Sequence, residues 1–81
     1  MTMTDPTTET IRAVVARIAK IPLPGSDDDM YVAGLASTDA LELLVELEDT
    51  FGVTIPDDQF IAARTPAQLG QVVTALGGTA P

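Results

Sequence analysis

Gly34-Leu35-Ala36-Ser37-Thr38-Asp39-Ala40-Leu41-Glu42-Leu43-Leu44-Val45-Glu46-Leu47-Glu48-Asp49-Thr50-Phe51-Gly52-Val53-Thr54-Ile55-Pro56 is the stretch on which the fold turns. Within it Ala40, Leu43, Leu44 and Leu47 keep the i, i+3, i+4, i+7 spacing of a helix with one buried stripe. Phe51 extends the stripe by a turn, and Gly52 follows as a C-terminal cap. Val53 to Pro56 then reads as extended chain.

The same template recurs on both sides. Ile11, Val14, Val15 and Ile18 form one stripe, and Leu69, Val72, Val73 and Leu76 form another. Asp5-Pro6 places an N-cap before a first-turn proline. Thr65-Pro66-Ala67-Gln68 does the same and adds a capping box. Pro22 and Pro24-Gly25 stop the first helix by about residue 20, and Gly77-Gly78 stops the last. Residues 21 to 36 form a long loop, with a helical turn expected from Asp27 to Tyr31 and with Leu23, Met30, Val32 and Leu35 as its anchors. Residues 57 to 63 allow a short helix with Phe60 turned inward. The expected fold is all-α: a small four-helix bundle of three main helices plus one short helix, with a long loop between the first two. One domain is expected over residues 1–81, with a core at about 6–76 and frayed ends at 1–5 and 77–81.

Composition narrows the chemistry. The 81 residues carry no histidine and no cysteine, so the commonest general base and the thiolate metal ligand are both missing. Twelve acids face four bases, a net charge of −8. That charge repels nucleic acid and anionic membranes, favours partners with basic docking surfaces, and makes a monomer the expected state. The first six residues lack the basic start and apolar run of a signal peptide, and no stretch has membrane-spanning length, so a cytoplasmic protein is expected. Asp27-Asp28-Asp29 is not a calcium loop, because Tyr31, Val32 and Thr38 stand where an acid or amide, a glycine and a glutamate are required. No metal site is expected.

Ten acids and no base lie between Ile21 and Ala63. Asp39, Glu42, Glu46, Glu48 and Asp49 flank the central stripe without a lysine or arginine on the same helix. They read either as a solvated face or as a docking surface for a basic partner. Leu41 and Val45, one turn apart, either widen the core stripe or stand half exposed as apolar contacts ringed by charge. Ser37 sits where the loop meets this helix. Its ordinary reading is an N-cap; its functional reading is an exposed hydroxyl modified by another enzyme. With no histidine to activate it, Ser37 is a poor catalytic nucleophile.

The run from Gly34 to Pro56 resembles the phosphopantetheine attachment region of acyl and peptidyl carrier proteins. The family pattern is glycine, an apolar residue, Asp-Ser-Leu, then an acidic helix ending in Leu-Glu-x-x-Phe-x-x-x-Ile-Pro. Leu47-Glu48-Asp49-Thr50-Phe51-Gly52-Val53-Thr54-Ile55-Pro56 matches that ending. Ala36 and Thr38 replace the aspartate and leucine around the serine. The first change removes a charge offered to modifying enzymes and a possible helix cap.

The resemblance implies a free-standing, non-catalytic carrier. A phosphopantetheinyl transferase would attach 4'-phosphopantetheine from coenzyme A to Ser37, and the arm would hold an intermediate as a thioester. Acyl-, aminoacyl- or ketide-handling enzymes would be its other partners, in polyketide or nonribosomal peptide biosynthesis. Asp39, Glu42, Glu46, Glu48, Asp49 and Asp57 would steer them, with Leu41 and Val45 giving apolar contact. The alternative is a carrier-like acidic interaction module or regulator that never takes the arm.

Overall fold

A computed structural model describes residues 5–78. Among them are five helices and no strand: α1 (Pro6–Ala19), α2 (Met30–Ala33), α3 (Ser37–Phe51), α4 (Asp57–Ala62) and α5 (Pro66–Ala75). The all-helical bundle stands as expected, with the three striped segments as its long helices. One short helix more than expected is present, because the turn in the long loop closes as α2.

The caps follow the residues that favour them. The Asp5 carboxylate accepts the Thr7 N–H at 3.1 Å and opens α1. Thr65 accepts the Gln68 N–H at 3.1 Å while Gln68 Oε1 accepts the Thr65 N–H at 3.2 Å, the reciprocal box read from the sequence. Gly52 ends α3 in the left-handed region at φ 66°. Lys20 takes the same conformation at the end of α1, which glycine would adopt at lower cost.

Packing is centred on α1, which lies against both α5 and α3, while α4 rests on α5. Ile11, Val14, Val15 and Ile18 bury their stripe against Leu43, Leu47 and Phe51 of α3 and Leu69 and Val73 of α5. Leu43, Leu47 and Leu69 are fully enclosed, so truncating any one to alanine costs about 2–5 kcal/mol. At Gly70 an added Cβ would stand 2.8 Å from Thr8 Oγ1, which is why α5 can lie so close to α1.

Several anchors differ from expectation. Met30 and Leu35 plug the core, but Leu23 and Val32 are largely exposed. The helical turn begins at Met30 rather than Asp27, because Asp29 caps it through the Tyr31 and Val32 N–H groups. Leu76 lies beyond α5 and is exposed, since the helix closes a residue earlier. Gly78, expected among frayed residues, is buried beside Val73, Phe51 and Val53, and its N–H donates to the Val73 carbonyl at 2.9 Å. Asp5 likewise belongs to the α1 cap. Residues 1–4 and 79–81, also expected to fray, lie outside the described residues.

Candidate functional site

Ser37 is the first residue of α3, and the N-cap is Ala36. Alanine has no side-chain acceptor, so the capping box is half built: Asp39 Oδ2 accepts the Ala36 N–H at 3.1 Å, and nothing reaches forward in return. The ordinary reading of Ser37 as the cap is therefore excluded. Its residue is exposed, and its hydroxyl makes no hydrogen bond among the described residues. A free hydroxyl at a helix start, presented to solvent, is open to a second protein.

Beside it runs a groove of about 260 Å³ between α3 and α4, lined by Ser37, Ala40, Leu41, Leu44, Asp57, Phe60 and Ile61. Leu41 is 68% exposed and Ile61 69%, so the groove has apolar lips on both helices. Val45 is 52% exposed, one turn along from Leu41. The half-exposed reading of Leu41 and Val45 holds. Ile61 was not singled out from the sequence, although a helix that turns Phe60 inward must turn its neighbour away.

The acids divide by employment. Glu46 pairs with Arg17 of α1 at 2.6 Å, so the charge on α3 is partly compensated from another helix. Glu48 Oε2 accepts the Ile55 N–H at 2.9 Å and fastens the extended segment back to α3. Asp39 serves Ala36 as described. Glu42, Asp49 and Asp57 are exposed and make no side-chain hydrogen bond or ion pair among the described residues. Of the residues expected to meet partners, the structure brings Ser37, Leu41 and Asp57 to one groove; Val45, Glu42 and Asp49 lie outside it. No cluster of acids that could hold a metal ion is found among the described residues.

Known proteins resemble this chain in sequence and in fold. The family model described as a phosphopantetheine attachment site matches residues 9–73. An aminoacyl carrier protein of Agrobacterium fabrum is 32% identical over 53 residues, covering 60% of this chain and 64% of the relative, so the chain spans less than two thirds of that relative's length. The solution structure of a non-covalent extended docking domain complex of the Pax NRPS superposes with a TM-score of 0.78 at 22% identity, over 94% of this chain and 78% of the other, which is likeness of fold. The chain belongs to the acyl and peptidyl carrier protein family, whose cofactor is a covalently attached 4'-phosphopantetheine.

Proposed function

We propose that Ser37 is the attachment residue, and that the chain works as a free-standing carrier of acyl or aminoacyl intermediates in polyketide or nonribosomal peptide biosynthesis. One observation carries the reading: the Ser37 hydroxyl is exposed and unbonded at the first position of α3, in a chain of a family that carries the arm. Covalent attachment requires those two properties, and the residues present fit the group. The relative named as an aminoacyl carrier protein favours an aminoacyl cargo.

In this reading a phosphopantetheinyl transferase docks on the exposed acids Glu42, Asp49 and Asp57, with Leu41 and Val45 as apolar contacts. Ser37 Oγ bonds to the coenzyme A phosphorus, the anhydride bond to the nucleotide breaks, and the hydroxyl proton passes to the transferase. This chain has no histidine to take it. Once attached, the arm supplies a thiol that holds the cargo as a thioester. The chain is substrate and scaffold rather than enzyme, and its setting in this reading is the cytoplasm.

Intact-mass measurement after incubation with coenzyme A and a broad-specificity transferase tests the proposal. One phosphopantetheine per wild-type chain and none on Ser37→Ala is expected. A wild type that stays unmodified, including with transferases from its own organism, favours the alternative of an unmodified acidic interaction module. A Ser37→Ala chain that still gains the mass moves the site to Ser26, the only other serine.

A further inference from the structure

Arg64 is the only base after Lys20, and two of its side-chain nitrogens are engaged. Its Nε donates to Asp29 Oδ2 at 2.7 Å and its Nη2 to Asp29 Oδ1 at 3.3 Å. Its guanidinium carbon lies 4.7 Å from the centre of the Tyr31 ring. A planar fork on a carboxylate with a ring against its face is an arrangement lysine does not reproduce. Main-chain bonds reinforce it: the Met30 N–H donates to the Arg64 carbonyl at 2.8 Å, and the Ala67 N–H to the Ser26 carbonyl at 2.9 Å. Together they clasp the loop after α1 to the turn between α4 and α5.

Asp29 works on both sides of the clasp. Its Oδ1 also accepts the Tyr31 and Val32 N–H groups at 2.9 and 3.1 Å, capping α2. A four-residue helix cannot hold itself. From α2 only Gly34, Leu35 and Ala36 lead to Ser37, and they have little freedom. Gly34 sits at φ 129° with Ile21 Cγ2 2.8 Å from where a Cβ would be. Leu35 is buried, and its N–H donates to the Met30 carbonyl at 2.9 Å. Movement of α2 therefore passes directly to the approach to Ser37. The pair is half exposed, with side chains 53% and 31% accessible, so its effect is local more than global.

We infer that Asp29 and Arg64 are positioning residues for modification of Ser37: their ion pair holds α2 and residues 34–36 on the course that leaves the serine hydroxyl open to the transferase. Neither touches the reacting atoms. The inference rests on Ser37 being the acceptor.

Three variants test it. Asp29→Asn keeps a good helix cap while weakening the fork, Arg64→Lys keeps the charge without the fork, and Arg64→Gln removes both. In steady-state transfer from coenzyme A, the KM for each variant carrier should rise about three- to fivefold, the factor an exposed ion pair can command. The kcat should stay within about twofold. Amide exchange at Tyr31 and Leu35 should quicken while the melting temperature holds. Unchanged KM or unchanged exchange in Asp29→Asn overturns the inference. So does a KM that rises in Arg64→Gln but not in Asp29→Asn, because Arg64 would then dock on the transferase itself. So does a general loss of melting temperature. A wild type that takes no arm removes the Ser37 reading, and this inference with it. A modified wild type with unaltered variants removes this inference alone.

Discussion

The Ala36 N–H donates to Asp39 Oδ2 at 3.1 Å, three residues along α3, and Ala36 offers no acceptor in return. The start of the helix is thus capped by its own third residue, and Ser37 is spared. Two stability results follow. Ser37→Ala should leave the unfolding free energy within about 0.5 kcal/mol of wild type, as for a surface change away from any special feature. A serine that served as the N-cap would instead cost about 1 kcal/mol on removal. Ala36→Asp should stabilise the chain by about 0.5–1 kcal/mol, because it supplies the missing acceptor and a negative charge at the positive end of the helix dipole. Urea unfolding of the three chains measures both. A loss of 1 kcal/mol or more in Ser37→Ala would return the serine to the cap.

Glu48 is the acid whose role changes most. Its carboxylate is turned into its own chain, where it accepts the N–H of buried Ile55 at 2.9 Å. Removing the acceptor leaves a buried donor without a partner. Glu48→Ala should therefore cost about 1–3 kcal/mol. Glu48→Gln retains an amide oxygen and should lose less than half as much. Equal losses in the two variants would show that charge, and not the bond to Ile55, is what matters at this position.

The Asp29–Arg64 pair has a defined pH window. The Arg64 guanidinium, helped by the Val32 and Tyr31 N–H groups and opposed by desolvation, holds the Asp29 carboxyl below its ordinary value of 3.8. A carboxyl depressed in the folded state stabilises it above the unfolded value and loses that effect as pH falls through the folded one. The difference in amide protection at Tyr31 and Leu35 between wild type and Asp29→Asn should therefore hold at neutral pH and shrink as pH falls below about 4. At about 1 M salt the neutral-pH difference should shrink, since the screening length falls to about 3 Å. A difference that does not shrink in acid would assign the effect to the capping of α2 rather than to the charge of Asp29.

What could be read from the residues depended on whether a period or a pair carried the information. The stripes at Ile11–Ile18, Leu43–Phe51 and Leu69–Val73 were legible because a 3.6-residue repeat marks a buried face wherever the helix packs. Leu23 and Val32 do not anchor the loop, and an aperiodic stretch carries no signal of which way they face. Once Met30 and Leu35 fill the core, Val32 is turned to solvent. The place of Ser37 was legible through the family-like run from Gly34 to Pro56. That it is not the cap depended on Ala36 taking the extended backbone, at ψ 161°, which residue identity does not specify. The Arg64–Asp29 and Arg17–Glu46 bridges join residues 35 and 29 positions apart, so they exist only once the bundle is assembled.

Gly70 tests the closest approach in that bundle. Inside an exposed helix, glycine to alanine ordinarily stabilises by about 0.5–1 kcal/mol, because the unfolded chain loses freedom. Here the new Cβ would stand 2.8 Å from Thr8 Oγ1, and both residues are buried where α5 lies on α1. The contact forces the helices apart or the threonine off its rotamer, at about 1–3 kcal/mol. Gly70→Ala should therefore destabilise the wild-type chain. In a Thr8→Ala background the offending oxygen is gone and the remaining Cβ distance of 3.8 Å is ordinary contact. There the same substitution should be neutral or stabilising, giving a coupling of at least about 1 kcal/mol between the two sites in a double-mutant cycle. Effects that add within about 0.5 kcal/mol would mean that α1 and α5 adjust without cost, and that the glycine is not what sets their separation.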